Sequence, residues 1–452
     1  MLKRIVYGIM LTLLLIGMLK LTFNILQPAR AELEEITVPD DYPTIQEAIN
    51  AAISGDTIYV KAGIYKESIV INKSISLIGE SRETTIIDGN GNGWVVNIEC
   101  SYVTFRNFTV RNGTVGIWIF ETSQDRIEDN VVRNCNKGIL IVTSLWFQDN
   151  HLLRNNIISD NKYGILLQGC RNVTILQNNI INNTERGIEL TADPRQAIEF
   201  RGSHNNLICS NDIVGNEVGI YLLGENNKFY HNNFFNNSEN VQVYHVSYYE
   251  NDWDNGYPSG GNYWDNYAHI DIYSGPYQNV TGSDGIGDEP YTLDANNRDN
   301  YPLMGIFYDF EVEWDDDKFH IEVVSNVTIS NPEILIMLDH LPPYLPVGQL
   351  FIRFFAEDTI NAAKFCRVTI PRVILNGTYT VLIDFEEVPV HEIPNSNSTY
   401  AYLYFTYQHS KQEHEIIIVP EFPSSMILSS LLLILLTMLI LILKKARISK
   451  KS

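Results

Sequence analysis

The chain has 452 residues, of which 45% are hydrophobic, with 32 Lys and Arg against 54 Asp and Glu and a formal net charge of −22; this is room for two or three buried cores and too apolar for a disordered chain. Nine of the Lys and Arg lie in residues 1–31 and 444–452, which hold no Asp or Glu, so the segment between them carries −31. Such a surface excludes nucleic acid as a partner, repels anionic headgroups, and disfavours polyanionic glycans unless a divalent cation bridges the contact.

Lys3 and Arg4 precede an apolar run from Ile5 to Leu19, and Ala29-Arg30-Ala31 offers a small-x-small cleavage site before Glu32. Residues 1–31 read as a signal peptide, with an uncleaved anchor as the alternative because the apolar stretch resumes after Lys20. Thr44-Ile45-Gln46-Glu47 is a capping-box pattern, and Ile45, Ala48, Ile49 and Ala52 form one apolar stripe before Gly55. This predicts a short amphipathic helix that covers the open end of the structure that follows. Short strands then begin at Ile58-Tyr59-Val60 and continue through Ile69-Val70-Ile71, Leu77-Ile78 and Ile86-Ile87.

Between Phe105 and Val243 one unit repeats. Asn130, Asn156, Asn179, Asn211 and Asn232 precede Gly138, Gly164, Gly187, Gly219 and Asn240 by eight positions, with Val132, Ile158, Ile181, Ile213 and Phe234 between them. A period-2 pair follows each time (Ile139/Ile141, Ile165/Leu167, Ile188/Leu190, Ile220/Leu222, Val241/Val243), and Ile127, Leu153, Leu176, Ile208 or Phe229 comes three residues before the Asn. Three short apolar strands per repeat cannot bury their own face, so the repeats must stack in parallel and in register as coils of a β-helix, about eight or nine in all. Gly and Asn suit the corners because they tolerate positive φ, and Asn also forms ladders between stacked coils.

After Val243 a turn-rich aromatic segment, from Asp252-Trp253-Asp254 through Asn262-Tyr263-Trp264 to Gly285-Ile286-Gly287-Asp288, is expected to close the stack. From about Phe307 the pattern changes to alternating runs such as Phe319 to Val323, Leu350 to Phe354, Cys366 to Ile370, Tyr379 to Ile383 and Tyr402 to Phe405, which predict an antiparallel β-sandwich. Met426 to Leu443 is an uncharged apolar span of 18 residues followed by Lys444, Lys445, Arg447, Lys450 and Lys451, a membrane helix with a basic inner flank. The five cysteines, Cys100, Cys135, Cys170, Cys209 and Cys366, contain no C-x-x-C and indicate neither a disulfide framework nor a zinc site. Ten N-x-S/T sequons fit an exported glycoprotein.

Thr44 to Val60, Gly63-Ile64-Tyr65-Lys66-Glu67, the Gly-Ile coils and the segment from Asn262-Tyr263-Trp264 to Asp288 together resemble the archaeal NosD-like right-handed β-helix proteins of the pectin-lyase-like superfamily, over roughly residues 37–304. The resemblance implies a right-handed parallel β-helix, export, and a carbohydrate-binding or sugar-hydrolysing role. It also implies copper delivery for some members, to which no Cys/His/Met cluster of ligand spacing corresponds here. Pro420-Glu421-Phe422-Pro423 with the apolar helix and basic tail resembles archaeal surface-sorting signals, which implies a sortase-like protease as a processing partner. The expected organisation is therefore an all-β chain. A signal peptide over 1–31 precedes a right-handed β-helix over 32–304, closing from about 245. A β-sandwich over 305–419 and the anchor over 420–452 follow, with the bulk of the chain on the outer face of the membrane.

Two regions are candidates for chemistry. The turn after the Gly-Ile strand is short at Gln168 to Asn172 and Leu223 to Asn227 but expands at Val142 to His151 and Thr191 to Asn205, so two walls project from one edge. Glu121, Asp125, Trp146, Asp149, His151, Arg171, Asp193, Arg195 and His204 lie in or beside them. Trp146, Arg171, Arg195 and His204 are the candidate glycan contacts, and Asp149, Asp193 and Arg171 the candidate catalytic groups. Carboxylates one coil apart suit a retaining glycosidase and two apart an inverting one, whereas a lyase would use an arginine as base. In the closing segment, Asp284 and Asp288 are candidate Ca²⁺ ligands, with turn-forming as the competing role. Gly63-Ile64-Tyr65-Lys66-Glu67 matches a pectin methylesterase motif, but the partner motifs are absent and a turn into the first coil is the simpler reading. The leading expectation is a surface-anchored protein that binds carbohydrate or a cell-envelope polymer. The rivals are a polysaccharide lyase or glycoside hydrolase in the same groove, and a structural or adhesive surface protein.

Overall fold

The computed structural model describes residues 35–143, 149–193, 195, 202–244, 249–336, 350–393 and 396–420. The expected signal peptide, the Met426–Leu443 span and the basic tail lie outside these residues; among the described residues no helix is long and apolar enough to cross a membrane.

Three parallel sheets share the repeats. Sheet A has nine strands, from Glu35–Val38 to Lys228–Tyr230; sheet B has nine, from Gly63–Tyr65 to Tyr263–Trp264; sheet C has eight, from Ile69–Ile71 to Glu239–Val243. Successive coils pair in parallel in all three, giving a solenoid of right-handed type with about nine turns. Ile139, Ile165, Ile188 and Ile220 stand in register and are 0% exposed, one column of a continuous apolar interior.

The corner between sheets A and B is held by a buried ladder of Asn130, Asn156, Asn178, Asn211, Asn232 and Asn262. Asn211 is typical. Its Oδ1 accepts the backbone N–H of Asn178 at 2.9 Å and the Nδ2 of Asn178 at 3.0 Å, while its own Nδ2 donates to Ile175 O and to Asn232 Oδ1, each at 2.9 Å. A second ladder, Asn161, Asn183, Asn216 and Asn237, holds the corner between sheets B and C. The ladder asparagines do not have positive φ. Their predecessors Asp129, Asn155, Gln177, Ser210 and His231 do, and they turn the chain. Space, not φ, selects the column Gly116, Gly138, Gly164, Gly187 and Gly219, because a Cβ at each would lie 2.4–2.7 Å from a carbonyl oxygen of the next coil.

One coil corrects the expected register. Counting back from Gly187 selects Asn179, Leu176 and Ile181, but the ladder contains Asn178, and Ile175 and Ile180 are the fully buried residues. The turn from Asn183 to Gly187 is one residue longer than those from Asn161 to Gly164 and Asn216 to Gly219. With a side-chain period of two, that single extra residue moves every assignment behind it to the opposite face.

Both ends of the solenoid are covered. The helix Ile45–Ala51 lies over the first coils, with Thr44 accepting the N–H of Glu47. The Glu67 carboxylate accepts the N–H groups of Ile45 and Gln46 at 3.1 Å, and Lys73 Nζ donates to the carbonyls of Ile49, Asn50 and Ala52 at 3.0, 2.7 and 2.6 Å. The acid sits at the positive end of the helix and the lysine at the negative end. Glu67 of the esterase-like motif thus has a structural role. At the other end Trp253 stacks on Phe229 at 4.2 Å, Trp264 on Phe234 at 4.3 Å, and Tyr291 on Trp264 at 4.3 Å. Asp299 ends the ladder by accepting from Asn262 N at 2.7 Å and Trp264 Nε1 at 3.0 Å.

Beyond the closing segment, two five-stranded antiparallel sheets share one apolar core that includes Val323, Ile352, Val368, Leu403 and Ile418. The first of them lies against the solenoid flank: Arg154 pairs with Glu311 at 3.1 Å, Gln177 donates to Asp309 at 2.8 Å, and Asn233 exchanges two 2.8 Å bonds with the Phe307 backbone.

The corrected register makes a sharp prediction. Asn178→Ala strips the acceptor from a buried backbone N–H and should cost roughly 2 kcal/mol or more in urea unfolding, whereas Asn179→Ala should stay within about 0.5 kcal/mol. Equal losses would contradict the ladder.

Candidate functional site

Along the sheet C strands, alternate residues point out of the solenoid. The middle outward row is Asn97, Trp118, Leu140, Leu166, Glu189, Tyr221 and Gln242, flanked on one side by Trp94, Val115, Lys137, Tyr163 and Arg186 and on the other by Phe120, Val142, Gln168 and Thr191. The early coils are aromatic on this face. Trp118 lies 5.1 Å from Trp94 and 5.4 Å from Phe120, between ring centroids. Trp94 is 42% exposed, and the buried Trp118 Nε1 has no hydrogen-bond partner among the described residues. Leu140 and Leu166 are 6% and 3% exposed although they point outward, so the middle of the row is closed and its aromatic end is open.

The lengthened turns rise at the edge of this row. Their bases are described, and residues 144–148 and 196–201 are not, so Trp146 lies outside the described residues. Arg195 spans the edge: its guanidinium pairs with Asp193 at 2.9 Å and with Glu121 at 3.1 Å, and sits 5.0 Å from the Phe120 ring centroid. Glu121 follows a strand three coils earlier, a reach of about 14 Å along the axis. The structure therefore brings together Glu121, Asp193 and Arg195, three of the residues singled out in the sequence, beside the aromatic row.

Three of the remaining candidates, Asp125, Asp149 and His151, turn inward. Asp125 and His151 occupy ladder positions at the corner between sheets C and A, the row continued by Asn206, Asn227 and Asn251. Asp125 Oδ1 accepts the N–H of Val103 at 2.9 Å, and His151 Nδ1 accepts the N–H of Asp125 at 3.2 Å. With Nδ1 an acceptor, the imidazole is neutral and carries its proton on Nε2. Its 3.3 Å approach to Asp125 Oδ2 is then not an ion pair, consistent with burial pushing His151 down to about 4. Asp149 is 0% exposed and accepts from Arg171 N at 2.5 Å and Thr143 Oγ1 at 3.0 Å. Arg171 and His204 pair as a bridge between neighbouring coils. Asp149 and Asp193, considered as catalytic groups on projecting turns, are thus buried at the turn bases, where short polar side chains satisfy backbone N–H groups.

Asp284 and Asp288 hold turns. Asp284 accepts the N–H of Ile286, and Asp288 accepts those of Ile272 and Tyr273, all at 3.1 Å. The aromatic row was the signal missed in the sequence. It lay in the outward slots between the inward residues of each Gly-Ile strand, as in Trp118 between Ile117 and Ile119.

Asp149 carries a pH prediction. Burial pushes its pKa up to about 7, against the lowering effect of the Arg171 and Thr143 hydrogen bonds. The folded chain keeps a proton that the unfolded chain releases near pH 4, so this contribution to stability is full below about pH 4 and lost as pH rises to 7. Asp149→Asn keeps an acceptor for the Arg171 N–H. Relative to the unsubstituted chain it should gain roughly 2–4 kcal/mol between about pH 4 and pH 8. Urea titrations at the two pH values check this, and a constant difference would place the proton elsewhere.

With this geometry in view, comparison with known proteins gives a family match. The family described as periplasmic copper-binding protein (NosD) matches residues 49–269. A probable pectinesterase/pectinesterase inhibitor 6 of Arabidopsis thaliana is 40% identical over 77 residues, 15% of this chain and 13% of that protein, so the match spans about an eighth of the relative. Among solved structures, the tailspike protein of Acinetobacter baumannii bacteriophage Fri1, a capsular polysaccharide depolymerase, is 11% identical with a TM-score of 0.41, covering 86% of this chain and 83% of that one. The A-module of the Azotobacter vinelandii mannuronan C-5 epimerase is 17% identical with a TM-score of 0.38, covering 54% and 76%. The pectin methylesterase of Aspergillus niger is 16% identical with a TM-score of 0.34, covering 50% and 86%. The described residues do not fit a copper centre. Among them no three His, Cys, Asp or Glu side chains gather as ligands, and burial pushes the thiols of Cys135, Cys170 and Cys209 up, away from the thiolate that binds metal. Residues 49–269, which match the NosD family, fold as a parallel β-solenoid.

Proposed function

We propose that the protein is exported, held at the outer face of the cell membrane, and binds carbohydrate or a cell-envelope polymer along the outer face of sheet C. The observation that carries this reading is the row Trp94, Trp118 and Phe120, aromatic rings on the outside of a parallel sheet with the Arg195 bridge as a wall. Aromatic rings offer a rigid apolar surface to the C–H faces of a sugar, and indole N–H groups seek a polar partner when buried. Trp94, 42% exposed beside Trp118, offers such a ring face to a ligand. Binding is favoured over glycoside hydrolysis, because that chemistry needs carboxyl groups open to the substrate, and Asp149 and Asp193 are 0% and 2% exposed; a lyase with an arginine base is the second reading.

The chain termini support the location: an apolar N-terminal segment with basic start, and an apolar span from Met426 with a basic flank. Protease added to intact cells should release fragments of the acidic region, and protection of that region would reverse the orientation. If a sortase-like enzyme acts at Pro420 to Pro423, the mature protein should lack the Met426–Leu443 peptide in mass spectrometry.

The binding claim is tested by titrating a polysaccharide panel against the native chain and Trp118→Ala. Loss of one stacking contact of roughly 1 kcal/mol should weaken binding about fivefold or more, with the fold retained. Unchanged affinity would remove the ligand from this face, and new reducing or unsaturated ends would favour the enzyme.

A further inference from the structure

Farther along the same face, a cavity of about 740 Å³ opens over the last coils, lined by Arg186, Tyr221, Glu239, Gln242, Tyr244 and Asp294. None of these residues belongs to the lengthened turns. The Arg186 guanidinium lies 3.8 Å from the Tyr221 ring centroid and 5.9 Å from that of Tyr163, and pairs with Glu189 at 2.7 Å. Tyr244 is 54% exposed and Gln242 follows Tyr221 in the outward row. The Asp294 carboxylate accepts the N–H groups of Asn296 and Asn297 at 2.8 Å.

We propose that this cavity is a second sugar subsite, separate from the Trp94–Trp118 strip, and that it takes an uncharged pyranose; the proposal rests on the carbohydrate reading above. Tyr244 supplies an open ring for stacking, while Gln242 and Glu239 supply donor and acceptor groups for ring hydroxyls. The charge balance selects the sugar. Arg186 is neutralised by Glu189, and the remaining ionic groups of the lining, Glu239 and Asp294, are carboxylates. A uronate or sulfated unit would bring like charge against them with no free cation from Arg186 to compensate. Trp118 and Tyr221 stand four coils apart in register, about 19 Å along the axis. A single polymer lying along the face can occupy both sites, so the second contact is made at high effective concentration.

The experiment titrates the native chain, Tyr244→Ala and Trp118→Ala with short and long oligosaccharides of β-glucan, mannan and galactan, and with polygalacturonate and alginate oligomers. An uncharged series should bind, with long oligomers at least tenfold tighter than short ones. Tyr244→Ala should abolish that length-dependent gain while keeping short-oligomer affinity and the melting temperature of the native chain. A length gain untouched by Tyr244→Ala would overturn the second subsite. Preference for a uronate series, lost in Arg186→Ala, would overturn the charge argument while leaving carbohydrate binding intact. Binding to no polymer at all would overturn the carbohydrate reading itself.

Discussion

From Phe108 to Asn232, each passage from sheet A to sheet B buries a backbone N–H with no strand partner, and an asparagine of the next coil accepts it. A buried N–H left unpaired costs about 1–3 kcal/mol. The rungs therefore fix the geometry of this corner in every coil from Asn130 to Asn262, and the second ladder largely fixes the next one. From Thr104 onward, among the described residues, length varies by more than one residue only at the third corner, between sheets C and A. The two long excursions fall there, and there the asparagine row is replaced by Asp125, His151 and Val173 before Asn206 resumes it.

This division of labour places the proposed site. Two corners are locked to keep the strands in register, so the outward rows of sheet C are aligned across coils and present side chains as columns. The free corner raises walls beside one edge of those columns. Arg195, tied to Asp193 and Glu121, links coils three apart along this edge. The proposed binding surface is thus a by-product of stacking: flat, periodic and aligned with the axis, a form suited to an extended polymer more than to a small molecule.

The sequence made the solenoid legible because its period comes from close packing and buried polar pairing, which tolerate few residue types. Ile139, Ile165, Ile188 and Ile220 could be aligned from spacing alone. Asn178 could not, because one residue inserted after Asn183 is invisible to a count made backward from Gly187. The capping helix was readable from Thr44 onward, but the Glu67 and Lys73 contacts that fix it come from residues about 22 positions away. At the site, residue type misled. Asp125, Asp149 and His151 look like chemistry in a lengthened turn, yet they satisfy buried N–H groups. Trp94 and Trp118 look like core, yet the period-2 alternation turns them outward.

Whether ligand lies along the outer face of sheet C is read directly by hydroxyl-radical footprinting with and without a bound glycan. Trp94 and Tyr244 on that face should be protected, while Tyr102 and Tyr277, 61% and 84% exposed elsewhere, keep their reactivity. Protection of Tyr277 in the closing segment, with Trp94 and Tyr244 unchanged, would contradict a ligand on that face.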